Sequence, residues 1–274
     1  MVSQLETTEG QIWYDVQGVG ESVVLIHGNA ASSRWWDPLI ERHPTDFRWI
    51  RLDLPGFGRS DEPLTAYSIA GAGRAVQAVI EAVGGAPVWG IGHSLGGAVA
   101  LELALAEPGF FRALLLIDPA PGDGMPLSPQ ARLALTEAVR QPAVIRQRLE
   151  AISPAADHGP SFDWVVAEAL VARGWIPLAE ALSRWNVMDR LGEIDWPVWV
   201  VQGEQDQLVP LDRVANTVRR LPQGHLEVLP GIGHCLPLED PERLFHLIDR
   251  WVSTVSPNPP VERGENSVDD RKES

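Results

Sequence analysis

The sequence predicts an α/β fold: a mainly parallel sheet of about eight strands, flanked by helices and carrying an inserted all-helical cap. Three observations predict it. Short apolar segments alternate with helical segments through the first 118 residues, as βαβ units do. From residue 119 to 187 the alternation stops, with helix-like segments and no strand signal. It resumes near residue 197 and runs to a closing amphipathic helix over 241–255.

Residues 2–7 and 11–17 read as two strands around the turn at Glu9-Gly10, an antiparallel edge. Residues 22–27 are continuously β-branched and aliphatic up to His27, the pattern of a strand buried on both faces. A short helix is expected over 34–42 and a strand over 47–52, which empties into a glycine-rich loop. Residues 67–83 are helical in pattern despite Gly71 and Gly73. A buried strand over 86–90 precedes Ile91-Gly92-His93-Ser94-Leu95-Gly96-Gly97, and residues 98–106 are helix formers. The next strand is 111–118. Helices are expected near 128–139, 142–152, 161–172 and 177–188, then a strand over 197–202, a helix over 211–220 and a last strand over 225–229. The resulting division is core 1–118, helical cap 119–187, core 188–255, and a disordered, proline- and charge-rich tail over 256–274.

Composition narrows the function. The chain has 274 residues, 45% of them hydrophobic, enough for a sizeable core. A net charge of −15 does not attract nucleic acid or anionic membranes, so neither is expected as a partner. One cysteine, Cys235, permits no intrachain disulfide and no cysteine metal site. The start lacks a basic region followed by an apolar stretch, and no apolar run reaches the ~20 residues of a membrane span, so a cytoplasmic protein is expected. No metal spacing or cofactor motif is present; Gly56-x-Gly58 opens no helix and lacks a third glycine.

Ser94 carries the chemistry. It stands where a strand turns abruptly into a helix, flanked by Gly92 and Gly96. So tight a turn strains the serine backbone and crowds its neighbours, which is why glycine is needed on both sides. The Leu95 amide then falls in the first turn of the helix, where N–H groups are unpaired and negative charge is favoured. Three further loops follow predicted parallel strands and share the same sheet edge: His27-Gly28-Asn29, the loop at Asp206 and the loop at His234.

With these residues in place the sequence resembles the α/β-hydrolase superfamily. The resemblance covers about residues 10–254. It rests on the His27-Gly28 loop, Asp53-Leu54-Pro55-Gly56-Phe57-Gly58-Arg59-Ser60, the Ser94 elbow, Gly203-Glu204-Gln205-Asp206 with Pro210, and Gly231-Ile232-Gly233-His234 with Pro241-Glu242. It implies Ser94 as nucleophile, His234 as general base and acid, and Asp206 as the residue orienting His234. The amides of Asn29 and Leu95 are implied as the oxyanion hole. Asp118 is a rival for the acid, because it also ends a strand at this edge; the Gly-x-x-Asp context and Pro210 favour Asp206.

Other polar residues read as structural. His27 is expected to be a hydrogen-bonding loop residue, His93 to pack away from the cleft, Asp53 to anchor the Gly56–Gly58 loop, and Cys235 to fill space. His43, His158, His225 and His246 fall on surfaces or helices. Trp35 and Trp36 follow the oxyanion loop, and Trp164, Trp175 and Trp185 lie in the cap. Ordinary packing explains each one singly, yet together they are candidates to line one apolar cleft.

The expected activity is cleavage of a neutral, moderately apolar small-molecule ester or lactone through an acyl-serine intermediate, without metal or cofactor. Serine at the elbow disfavours the dehalogenase and epoxide-hydrolase chemistries of the superfamily, which use aspartate there. Thioester cleavage, C–C hydrolysis and perhydrolysis are the enzymatic alternatives, and a small-molecule receptor is the non-enzymatic one.

Overall fold

A computed structural model describes residues 2–255. The segment 256–274, expected to be a tail, lies outside the described residues. Eight strands form one sheet: β1 (Val2–Thr7), β2 (Gly10–Gln17), β3 (Ser22–Ile26), β4 (Arg48–Leu52), β5 (Val88–His93), β6 (Phe111–Ile117), β7 (Val198–Gly203) and β8 (Gly224–Leu229). Their order is β1-β2-β4-β3-β5-β6-β7-β8. β2 pairs antiparallel with both β1 and β4, and every other pairing is parallel.

Alternate strand residues feed two apolar layers, as the period of a strand requires. Val24, Ile26, Leu114 and Leu116 pack toward α2 (Ile69–Ala82), α3 (Leu95–Ala106) and α8 (Leu211–Val218). Val23, Leu25, Ile91 and Leu115 pack toward α1 (Asp37–Arg42) and α10 (Pro241–Val255). The central β5 is buried throughout, and it extends to His93 rather than stopping at residue 90. Gly92 and His93 look like loop in the sequence, but the register pairs them with Leu116 and Ile117.

Between β6 and β7 lie α4 (Pro129–Ala138), α5 (Pro142–Ile152), α6 (Asp163–Val171) and α7 (Trp175–Leu182). α7 is shifted from the expected 177–188. It stops early because Val187 donates its N–H to the Gly122 carbonyl at 2.7 Å and the Trp185 indole donates to Glu102 on α3. Several contacts hold this helical segment over the carboxyl ends of the strands. His234 N–H donates to Ile152 O at 2.7 Å, Gly174 N–H to Gly56 O at 2.9 Å, and Asn29 Nδ2 to Trp175 O at 3.1 Å. Arg34 pairs with Glu168 at 3.3 Å. Their inner residues form an apolar cluster with the first loop, joining Ala30, Ala31 and Trp35 to Ile145, Leu149, Phe162 and Val165.

Candidate active site

Ser94 links β5 to α3 with φ 53° and ψ −115°, a left-handed backbone that a non-glycine residue adopts only under constraint. The two flanking glycines have different steric reasons. A Cβ on Gly92 would lie 2.5 Å from the Gly96 carbonyl oxygen, so these two do crowd each other. A Cβ on Gly96 would instead strike β3, 2.2 Å from Ile26 O. The elbow is therefore wedged against the neighbouring strand as well as folded on itself.

His234 comes from the loop after β8. Its Nε2 is 2.9 Å from Ser94 Oγ and its Nδ1 is 2.9 Å from Asp206 Oδ2. With Asp206 ionised, Nδ1 carries the proton and Nε2 is the free acceptor facing the hydroxyl. Asp206 is held by its own loop: Oδ1 accepts from the amides of Leu208 (2.8 Å) and Val209 (3.1 Å), and Oδ2 also accepts from Gln202 Nε2 at 3.3 Å. Burial alone would raise its pKa. The His234 hydrogen bond and charge outweigh that, with the two amides, and keep the carboxyl below its ordinary range.

Asp118 sits at the same edge but makes a different contact. Its Oδ1 accepts the Gly203 amide at 2.7 Å, and its buried Oδ2 has no hydrogen-bond partner. Burial pushes its pKa well above the carboxylate range, and the Asp206 charge adds to that. The partner of His234 is thus Asp206, and Asp118 is suited to stay protonated.

His93 does more than fill space. Its Nε2 donates to the main-chain oxygen of His234 at 2.7 Å, and its ring packs beside those of His234 and Trp35. Burial, followed by the His234 charge, holds its pKa down to about 3, so the ring is neutral at physiological pH. Its adjacency to the nucleophile is visible in the sequence, but nothing there shows that it reaches a residue 141 positions away. His27 also bridges main chain, with Nδ1 donating to Gly28 O at 2.7 Å and Nε2 accepting from Leu54 N–H at 2.9 Å. Burial lowers its pKa, which suits that neutral tautomer. Asp53 accepts from the amides of Ser33 and Arg59 and from Arg59 Nε, anchoring the loop as its position predicts.

Polar atoms of His93, Asp118 and His234 all lie within 4.8 Å of one another. A cation there would have to displace bonds already made, because both His234 nitrogens and His93 Nε2 are engaged. On the donor side, Leu95 opens α3, where first-turn amides have no intrahelical acceptor. Asn29 follows Gly28, whose position is so close to the elbow that a Cβ would be 3.1 Å from Ser94 Cβ.

The tryptophans divide. Trp35 belongs to the apolar cluster under the helical segment, and Trp164 and Trp175 pack against it. Trp36 does not: it is fully buried in the layer containing α1 and α10, with Leu39, Trp49 and Trp251, while its neighbour Trp35 packs toward the helical segment. Trp185 is likewise tied to Glu102 on α3 and packs on the layer containing α2 and α3. Neither belongs to the apolar cluster that joins the first loop to the helical segment.

The sequence profile of the alpha/beta hydrolase family matches residues 23–247. The chain belongs to the alpha/beta hydrolase family. Among its relatives is 2-hydroxy-6-oxo-6-phenylhexa-2,4-dienoate hydrolase of Comamonas testosteroni, 26% identical with 85% of this chain and 88% of that protein covered. Among solved structures, Est816, described as an N-acyl homoserine lactone degrading enzyme, is 26% identical, with a TM-score of 0.76 over 91% of this chain and all of that one. An esterase from Exiguobacterium antarcticum superposes with a TM-score of 0.83 over 92% of this chain and 99% of that one; at 24% identity it speaks to the fold. This alpha/beta hydrolase is thus similar, at 26% identity in each case, to a dienoate hydrolase and to a lactone-degrading enzyme. No helix among the described residues is long and apolar enough to cross a membrane.

Proposed function

We propose that this alpha/beta hydrolase cleaves a neutral, moderately apolar carboxylic ester or lactone through an acyl-Ser94 intermediate. The observation carrying the reading is the continuous line from Ser94 Oγ through both nitrogens of His234 to Asp206, each link 2.9 Å. As Oγ attacks the acyl carbon, His234 Nε2 takes its proton, and Asp206 stabilises the resulting imidazolium. The carbonyl electron pair moves onto oxygen, where the Leu95 and Asn29 amides are placed to receive the charge. Collapse expels the alkoxide, which leaves with the proton from His234; in a lactone it stays tethered to the acyl group. Water, deprotonated by His234, then attacks the acyl-serine and restores Ser94.

The choice of substrate rests on the surroundings. Residues 119–187 act as a cap whose Trp164 and Trp175, together with Trp35 of the first loop, offer an apolar surround to the acyl or alcohol part. Arg34 stacks over Trp164 at 4.8 Å, and its charge is already answered by Glu168. That favours a neutral substrate over the carboxylate-bearing dienoates named for the Comamonas relative, so C–C hydrolysis is the second reading. The lactone-degrading description of Est816 supports including lactones.

The test is a panel of chromogenic esters and simple lactones of graded acyl length, run with a fluorophosphonate probe and with chelator. Turnover that survives chelator, an acyl adduct on Ser94 after acid quench, and probe labelling lost in Ser94→Ala are expected. Absence of turnover across the panel together with no label at Ser94 would remove the hydrolase reading and leave the receptor reading in its place.

A further inference from the structure

The loop that carries His234 is held by a carboxylate outside the Ser94–His234–Asp206 line. Glu239 closes α9 (Leu236–Glu239), a single turn that the sequence, with Pro237 in its middle, does not announce. Its Oε2 accepts the Gly233 amide at 2.8 Å and the Ala155 amide at 3.1 Å, and its Oε1 accepts the Cys235 amide at 2.8 Å. Gly233 and Cys235 are the two neighbours of His234. The His234 amide itself goes to Ile152 O, and its carbonyl receives His93 Nε2. Three consecutive N–H groups and the intervening carbonyl are therefore all anchored, two of them by one side chain.

The geometry points to Glu239 as the positioning residue of the general base, a clamp that fixes the His234 main chain and ties it to the end of α5. This rests on the reading of His234 as the base. A carboxylate suits the place. It is an acceptor on both oxygens, with lone pairs for three or four donors, whereas an amide side chain offers one acceptor oxygen and would aim an N–H₂ group at a backbone N–H. Charge-assisted bonds of this kind are also stronger than neutral ones. A catalytic group must be held within a fraction of an ångström of its working position, and a loop does not supply that by itself. The Ala155 bond gives the clamp a second role. The same oxygen that places Gly233 also holds the chain leaving α5, so the helical segment over the site and the base share one anchor.

The experiment compares the parent with Glu239→Ala, Glu239→Gln and, as a surface control, Glu242→Gln, using a chromogenic ester. Reactive sites are counted by end-point fluorophosphonate titration, so that kcat refers to folded, labelled protein. Glu239→Ala is expected to lower kcat by about 100-fold with KM within about threefold, the pattern of a displaced catalytic group. Glu239→Gln, keeping one acceptor oxygen, recovers part of the loss, and Glu242→Gln matches the parent. Proton NMR of the resting protein gives an independent readout: the hydrogen-bonded Nδ1 proton of His234 shifts or broadens in Glu239→Ala. Parent-like kcat per titrated site with an unchanged His234 signal overturns the proposal, whatever happens to yield or melting temperature. Should Glu239→Ala not fold, the same two readouts on Glu239→Gln decide it. A parent that turns over no ester or lactone and takes no label at Ser94 removes the hydrolase reading, and the NMR comparison then decides the clamp alone.

Discussion

His93 donates from Nε2 to the main-chain oxygen of His234 at 2.7 Å, so the residue beside the proposed nucleophile supports the backbone of the proposed base. The bond needs a proton on Nε2, and burial keeps the ring from taking a second one by holding the pKa to about 3. The two imidazoles are thereby set apart. One faces the Ser94 hydroxyl at 2.9 Å, and the other is kept from taking a second proton.

That difference predicts acid sensitivity. A histidine lowered from 6.5 to about 3 on folding binds fewer protons folded than unfolded over that interval. Stability is then lost as pH falls through the interval, with a slope of up to about 1.4 kcal/mol per pH unit from this group. Urea midpoints at pH 7, 5 and 4 should fall more steeply for the parent than for His93→Gln. Parallel curves would show that His93 does not carry the effect.

Asp118 predicts the opposite sign. Its folded pKa lies above the unfolded value, so the folded state binds more protons and stability declines as pH rises from about 3.8 toward that raised pKa. Asp118→Asn keeps an oxygen for the Gly203 amide and removes the titration. Relative to the parent it should gain stability as pH rises from about 3.8 toward that raised pKa. A stability difference that does not vary with pH would contradict a protonated Asp118.

The two aspartates should also separate in turnover. Ser94→Ala and His234→Ala are expected to lower kcat by on the order of 10⁶-fold with the fold intact. Asp206→Asn, which permits the wrong tautomer of His234, should cost about 10⁴-fold. Asp118→Asn should stay within about tenfold of the parent on the same ester, since its contact is the Gly203 amide. A larger loss at Asp118 than at Asp206 would reverse the assignment.

Gly96 offers a steric test of the elbow. A Cβ there would be 2.2 Å from Ile26 O and 2.7 Å from His27 O, both backbone atoms of a central strand and its exit. Gly96→Ala should destabilise by about 3 kcal/mol or more and reduce labelling of Ser94. Gly192→Ala, where nothing lies within 4 Å, is the matched control. Equal melting temperatures for the two would remove the wedge.

Much of this molecule is legible in its sequence because the signals are local. A buried parallel strand is a short apolar run wherever it occurs, and β3 and β6 read as such. The elbow is a covalent neighbourhood of five residues whose glycines are demanded by sterics at that spot. The positions of Ser94, Asp206 and His234 after the parallel strands β5, β7 and β8 place them at one edge, and so bring them within reach of each other. What tertiary structure alone decided depends on side-chain direction and on pairings across long stretches of chain. Adjacent Trp35 and Trp36 enter different apolar clusters. Asp118 and Asp206 end neighbouring strands, yet one meets a backbone amide and the other an imidazole. Glu239 gathers an amide from 84 residues away with two from its own turn. None of these leaves a periodic or compositional trace, because a hydrogen bond constrains where two atoms meet in space and not how far apart they lie along the chain.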